Sequence, residues 1–253
     1  MIQAVTFDVT HTLIHAPHLG EIYSEVLRRH RVDVDPPAAR RLVGEVWQEF
    51  ACSADPGLDR FAAHPEGERG WWRRFLERMC EHLEAPVPSR FAAAELFHRF
   101  GTAAAWEVYP EIPEVLAALA GQGVRLGVVS NWDHRLPAVL EELGLARFFG
   151  TVTYSQKVGL EKPDPRIFLQ ALDELEVEPS AALHVGDGPL EDVEGAVAAG
   201  MAALLLVRPG AGTASPAGTA GGDLRDLSSL PERVASGRAG WTGRRPPDPV
   251  LDF

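Results

Sequence analysis

Residues 2–7 are an apolar run that stops at Asp8, and the polar stretch Thr10-His11-Thr12 follows. The run predicts a short buried strand that opens into a loop. From about residue 20 to 105 the apolar positions change to helical spacing, recurring at 21–27, 39–50, 71–79 and 91–100. Breaks containing proline and glycine separate these stretches at Asp35-Pro36-Pro37, Asp55-Pro56-Gly57 and Ala85-Pro86-Val87-Pro88. No strand pattern occurs among them, so an all-helical insert is expected.

After residue 108 the pattern alternates between helix and strand. Helices are expected at 111–121, 133–143, 164–175 and 190–199, and strands at 125–129, 151–154, 181–185 and 202–207. Gly121, Gly123, Gly144 and Gly200 stand where helices should end. This alternation predicts an α/β fold with a Rossmann-like parallel sheet, covered by helices on both faces. The core is expected at 1–15 and 106–235, and the helical insert at 16–105, with hinges near 14–18 and 104–110. Residues 208–223, rich in Gly, Ala, Pro and Thr, read as a flexible loop; 224–235 as one more helix; 236–253 as a polar, proline-rich and flexible tail. Ligands of parallel sheets sit at the carboxyl ends of the strands, so the loops at 8–12, 130–131 and 186–192 should converge.

Composition narrows the partners. A net charge of −12 disfavours nucleic acid, whose backbone needs a basic surface. It leaves a small anion open, because such a ligand feels mainly the charges lining its own pocket. The longest apolar run, 201–207, is strand-sized and far short of a membrane span. The N-terminal run reaches a polar loop too soon for a signal peptide, and Cys52 and Cys80 lack any CxxC spacing. A cytoplasmic protein with free thiols is the expectation. Lys157 and Lys162 are the only lysines, so a lysine inside a motif stands out.

Four polar clusters follow strand-like segments or precede helices. Asp8 with Thr12 ends the first strand. Ser130-Asn131 ends the next and would also suit a simple turn. Lys162-Pro163-Asp164-Pro165 fits the start of a helix, with Asp164 as N-cap and Pro165 in the first turn. Gly186-Asp187-Gly188-Pro189, followed by Asp192, could equally be a turn and helix start. Taken together and in this order, the clusters resemble the four motifs of the haloacid dehalogenase-like hydrolase superfamily. Those motifs read DxDx[T/V], a hydrophobic run ending in Ser or Thr, a lysine, and GD followed after three or four residues by a second Asp. The resemblance spans about 1–207 and places a C1-type cap where the helical insert lies. His-Leu-Gly-Glu-Ile-Tyr at 18–23, Asp-Pro-Arg-Ile-Phe at 164–168 and His-Val-Gly-Asp at 184–187 look most like the haloacid dehalogenase-like hydrolase domain-containing 3 group.

The resemblance implies a Mg²⁺-dependent phosphohydrolase acting on a small phosphorylated metabolite. Asp8 would be the nucleophile that forms an aspartyl-phosphate. Asp8, the Thr10 carbonyl, Asp187 and Asp192 would serve the metal, since carboxylates beside a phosphate dianion need a cation. Thr12, Ser130, Asn131 and Lys162 would bind the phosphoryl group. The chain departs from the family at Thr10, where phosphatases carry the aspartate that acts as general acid and base. A hydroxyl cannot take over that role at neutral pH, and its loss costs about 10²–10⁴-fold. His11 has the right titration range but sits one residue beyond the usual position. His15 and His18 fall near the cap hinge, and His184 beside the sheet. Trp47, Trp71 and Trp72 are expected in the core of the insert. Two other functions compete: a weak or inactive relative that binds a phosphorylated ligand or partner, and a metal-independent 2-haloacid dehalogenase. The dehalogenases usually place tyrosine at the position of Thr10 and lack the paired acids of the fourth motif.

Overall fold

The computed structural model describes residues 1–53, 58–86, 90–209 and 224–237. Along the chain, β1 (Ala4–Phe7) leads to the two-residue strand β2 (Ile14–His15) and four helices: α1 (Leu19–Arg29), α2 (Pro36–Ser53), α3 (Gly67–His82) and α4 (Arg90–Arg99). The short β3 (Glu107–Val108) returns to α5 (Ile112–Gly121), β4 (Arg125–Ser130), α6 (Leu136–Glu142) and β5 (Thr151–Tyr154). Then come α7 (Ser155–Val158), α8 (Pro165–Leu175), β6 (Ala182–Gly186), α9 (Gly195–Ala198), β7 (Ala202–Leu205) and α10 (Leu230–Ala235).

The sheet order is β5-β4-β1-β6-β7, with every neighbouring pair parallel. Val5, Phe7, Leu126, Val128 and Leu183 pack beneath α5, α6 and α10, whereas Ala4, Val129, Ala182 and Ala203 face α8 and α9. Alternate residues thus enter two different cores, which is why these strands read as continuous apolar runs. β1 lies in the middle, between β4 and β6. The connections reverse direction across it, so the loop after β1 opens at the crevice where such sheets take ligands.

Helices α1 to α4 form their own apolar cluster around Val26, Leu27, Val46, Phe75, Met79 and Leu96. Trp71 is buried in it, and Trp47 and Trp72 pack against it half-buried. The two crossings between this insert and the sheet, expected as hinges, pair with each other as the antiparallel ribbon β2–β3.

Two expected elements differ. The helix anticipated at 190–199 is a π-helical stretch, Pro189–Glu194, running into the short α9. Asp192 turns back here so that its Oδ2 accepts the Gly188 N–H at 2.8 Å. Its carboxylate lies so close to Gly186 that a Cβ there would meet Asp192 Cγ at 2.2 Å, which requires glycine. The helix expected at 224–235 is confined to Leu230–Ala235, because Leu224 bridges to Leu206 and prolongs the sheet. Most of the anticipated flexible loop (210–223) and of the tail (238–253) lies outside the described residues. Among the described residues no helix is long and apolar enough to cross a membrane.

Candidate active site

The strand register places the site. Asp8 directly follows the central strand, its N–H donating to Val185 O at 2.9 Å, while Ser130 ends β4 and Asp187 follows β6. Ser130 Oγ donates to Asp8 Oδ1 at 2.8 Å. Lys162 Nζ donates to Asp8 Oδ1 at 2.7 Å and to Asp192 Oδ1 at 2.5 Å. Ligand oxygens from Asp8, Asp187 and Asp192 lie within 4.8 Å of one another. Three carboxylates therefore share one buried ammonium.

The titration directions follow from that imbalance. Burial, together with the charges of Asp8 and Asp192, pushes the Asp187 carboxyl up to about 8. Burial would also raise Asp192, but the Lys162 charge and hydrogen bonds from His184 and Lys162 hold it well below the usual carboxylate range. Burial alone would lower Lys162; Asp192 and Asp8 outweigh it and keep the ammonium charged. Oxygen donors with surplus negative charge suit a small hard cation such as Mg²⁺. The residues present fit that ion.

Several expected contacts take another form. Asn131 engages the main chain of Lys162: Nδ2 donates to Lys162 O at 3.0 Å, and Oδ1 accepts from Lys162 N at 2.7 Å. It clamps the main chain of the lysine. Thr12 Oγ1 is buried without a hydrogen-bond partner. Thr10 Oγ1 accepts a hydrogen bond from Trp132 Nε1 at 3.1 Å. His11 sits on a left-handed backbone (φ 62°), and burial lowers its imidazole despite the nearby Asp8 charge. His15 stacks on Tyr109, and His18 caps α1 without a side-chain hydrogen bond. Asp164 caps α8 as expected, accepting from Arg166 N–H.

Four contributors were not foreseen. Trp132 reaches Thr10, as above. Fully buried His184 bridges Thr6 Oγ1 at 2.9 Å and Asp192 Oδ1 at 3.1 Å. Arg208 holds the carbonyls of His11 and Thr12, at 3.1 and 2.8 Å, while pairing with Glu111 and lying 3.5 Å over the Tyr109 ring. It fixes the turn that follows the nucleophile. Asp133, three residues past Ser130, accepts Trp72 Nε1–H from the insert at 2.9 Å. Asp133 also pairs with Arg135, whose Nη1 reaches Phe97 O on α4 at 2.6 Å. Trp132 and Asp133 followed a motif as an aromatic and a polar residue, His184 stood in the His-Val-Gly-Asp segment, and Arg208 lay outside every motif.

Similarity to known proteins identifies the family. Residues 2–200 match the family described as haloacid dehalogenase-like hydrolase. The human "Haloacid dehalogenase-like hydrolase domain-containing protein 3" is 35% identical over 215 residues, covering 82% of this chain and 83% of that one. A HAD phosphatase from Thermococcus onnurineus has a similar structure, with a TM-score of 0.63 and 26% identity over 93% of this chain and 98% of that one. A 2-haloacid dehalogenase from Pseudomonas syringae pv. Tomato DC3000 is comparable, with a TM-score of 0.61 and 28% identity over 94% of this chain and 100% of that one. The parallel sheet with its acidic crevice, and the match across most of the chain, show that this protein belongs to the haloacid dehalogenase-like hydrolases, where it resembles the domain-containing 3 group.

Proposed function

We propose that this chain is a phosphohydrolase acting on a small phosphorylated metabolite through an aspartyl-phosphate at Asp8. The neighbours' names divide between phosphatase and dehalogenase, so the site itself has to decide. What carries the proposal is the surplus of negative charge: Asp8, Asp187 and Asp192 around the single Lys162. A metal-independent dehalogenase needs one attacking carboxylate and gains nothing from two more. A phosphoryl site with a cation uses them all.

In the proposed reaction Asp8 attacks phosphorus, the bond to the leaving oxygen breaks, and the leaving group takes the electron pair. Water then attacks the aspartyl-phosphate, the bond between the Asp8 oxygen and phosphorus breaks, Asp8 regains its carboxylate, and both protons of the water leave on the dihydrogen phosphate. Ser130 and Lys162 fix the Asp8 carboxylate through Oδ1 and offer donors to the phosphoryl oxygens. Asn131 holds the lysine's main chain in place. Asp8, the Thr10 carbonyl and Asp187 would hold Mg²⁺, with Asp192 beside them already bound by Lys162, His184 and Gly188. When bound, the ion would offset the charge of carboxylates and phosphate together. The helical insert would act as a cap that excludes water, and the cytoplasm is the proposed compartment.

A second function is favoured by one observation: Thr10 offers no carboxyl to serve as acid or base, which suits a weak relative that binds a phosphorylated ligand. Hydrolysis of p-nitrophenyl phosphate, with Mg²⁺ and with EDTA, decides between them when Asp8→Asn is run in parallel. Mg²⁺-dependent turnover that falls by at least about 10³-fold in the mutant is expected. Turnover no higher than the mutant's background would favour the binding protein, and chelator-insensitive halide release from a 2-haloacid would favour the dehalogenase.

A further inference from the structure

Thr10 stands where an acid–base carboxylate would be, and its hydroxyl is already engaged. Trp132 Nε1 lies 3.1 Å from Thr10 Oγ1, and an indole N–H can only donate. The hydroxyl therefore accepts from Trp132, and its own proton must point elsewhere. Trp132 is itself held: its main-chain N–H donates to Ser130 O at 3.0 Å, its main-chain carbonyl accepts from Ser155 Oγ at 3.1 Å and Gln156 N at 3.2 Å, and its ring packs on Trp106 at 5.2 Å. The indole is thus fixed through the same strand end that presents Ser130 to Asp8.

We infer that Trp132 is a positioning residue that fills one acceptor site of the Thr10 hydroxyl and turns its proton away from the indole to serve as a hydrogen-bond donor, in a site restricted to phosphates whose leaving oxygen is stable as an anion. This rests on the phosphohydrolase proposal. As Asp8 forms its bond to phosphorus, the departing oxygen keeps the electron pair and accepts a hydrogen bond from Thr10, and no proton is transferred. Acyl, enol and aryl phosphates meet that condition, whereas alkyl phosphates require a proton that Thr10 cannot give.

The test combines a double-mutant cycle with a spectroscopic measurement. With p-nitrophenyl phosphate and Mg²⁺, Thr10→Val and Trp132→Phe should each lower kcat/KM by about three- to tenfold, the range of one hydrogen bond. Thr10→Ser should keep most of the activity. In the Thr10→Val background Trp132→Phe should cost nothing further, because the two residues act through one hydroxyl. An equal loss in both backgrounds would make Trp132 merely structural and overturn the inference. Across a series of aryl and alkyl phosphates, wild-type kcat/KM should fall steeply as the leaving group becomes more basic; a flat dependence would also overturn it. The indole N–H resonance of Trp132, assigned by its loss in Trp132→Phe, should move upfield in Thr10→Val and stay in place in Asp8→Asn. That measurement needs no turnover. An inactive wild type would refute the phosphohydrolase proposal and with it the leaving-group restriction, while an unmoved resonance would refute the hydrogen bond itself.

Discussion

Two buried ionic clusters differ in balance. At the strand ends, Lys162 faces Asp8 and Asp192, with Asp187 nearby and its carboxyl pushed up to about 8. At the seam between sheet and insert, Asp133 meets one partner charge, Arg135, with Arg135 Nε on Oδ1 at 2.7 Å, and with Nη2 at 2.6 Å and Trp72 Nε1 at 2.9 Å on Oδ2. The guanidinium also lies 3.8 Å over the Phe97 ring. Burial would raise Asp133, but the Arg135 hydrogen bond and charge, helped by Trp72, hold it low. One cluster is neutral and fully hydrogen-bonded; the other carries more carboxylates than cations. Buried charge is costly unless paired. A surplus kept in the interior is therefore explained by a ligand of opposite charge, and a balanced pair by the structure it joins.

The contrast can be broken most sharply at Lys162. Lys162→Met should cut phosphatase turnover by about 10²–10³-fold, measured on p-nitrophenyl phosphate beside a circular dichroism spectrum. Unchanged turnover would make this lysine a structural partner like Arg135. Removing one side of the balanced pair should act on stability instead. Asp133→Asn is expected to cost about 3 kcal/mol, a fall in Tm of about 6–12 °C. The sign with pH is fixed by the low carboxyl. Its folded value lies below the unfolded one of about 3.9, so it stabilises the fold above that pH, and the contribution is lost as pH falls through the folded value. Acid unfolding followed below about pH 4 should accordingly be less steep in Asp133→Asn than in the wild type. An identical acid limb would show that the pair contributes nothing.

Adding charge sharpens the comparison from the other side. Thr10→Asp supplies the missing acid–base group and should raise alkyl-phosphatase turnover by about tenfold or more, while lowering the Tm of the metal-free protein. No gain in a folded variant that still binds Mg²⁺ would refute the role given to position 10. The smallest effect is expected from relieving the surplus. Asp187→Asn should raise the metal-free Tm by about 2–4 °C, the shift of roughly 1 kcal/mol in a chain of this size. It should also abolish the Tm increase expected of the wild type on adding Mg²⁺. A lower metal-free Tm would mean that Asp187 is a structural acid.

Asp8, Ser130, Lys162, Asp187 and Asp192 were legible because each stands at the end of an apolar run or the start of a helical pattern. In a parallel sheet, strand order and register then carry such positions to one edge. The insert was legible through its change of period at 20–105 and its Pro/Gly breaks. Trp132 and Thr10 are 122 residues apart, and Thr6 and His184 are 178 apart, so no local pattern could join them. The helix expected at 190–199 forms as a π-helical stretch running into α9, and the bond from Gly188 N–H to the Asp192 side chain is one that helical periodicity does not announce.

By itself the sequence determined the periods, and with them the α/β core, the helical insert and the loops that carry the carboxylates, because periodicity and chain punctuation are local properties. Only the tertiary structure decided how each polar group is satisfied. It turned Asn131 onto the lysine's main chain, buried the Thr12 hydroxyl, tied Thr10 to Trp132 and left three acids around one ammonium. Hydrogen-bond partners and charge balance depend on which distant segments meet, and that is fixed only when the sheet closes its register.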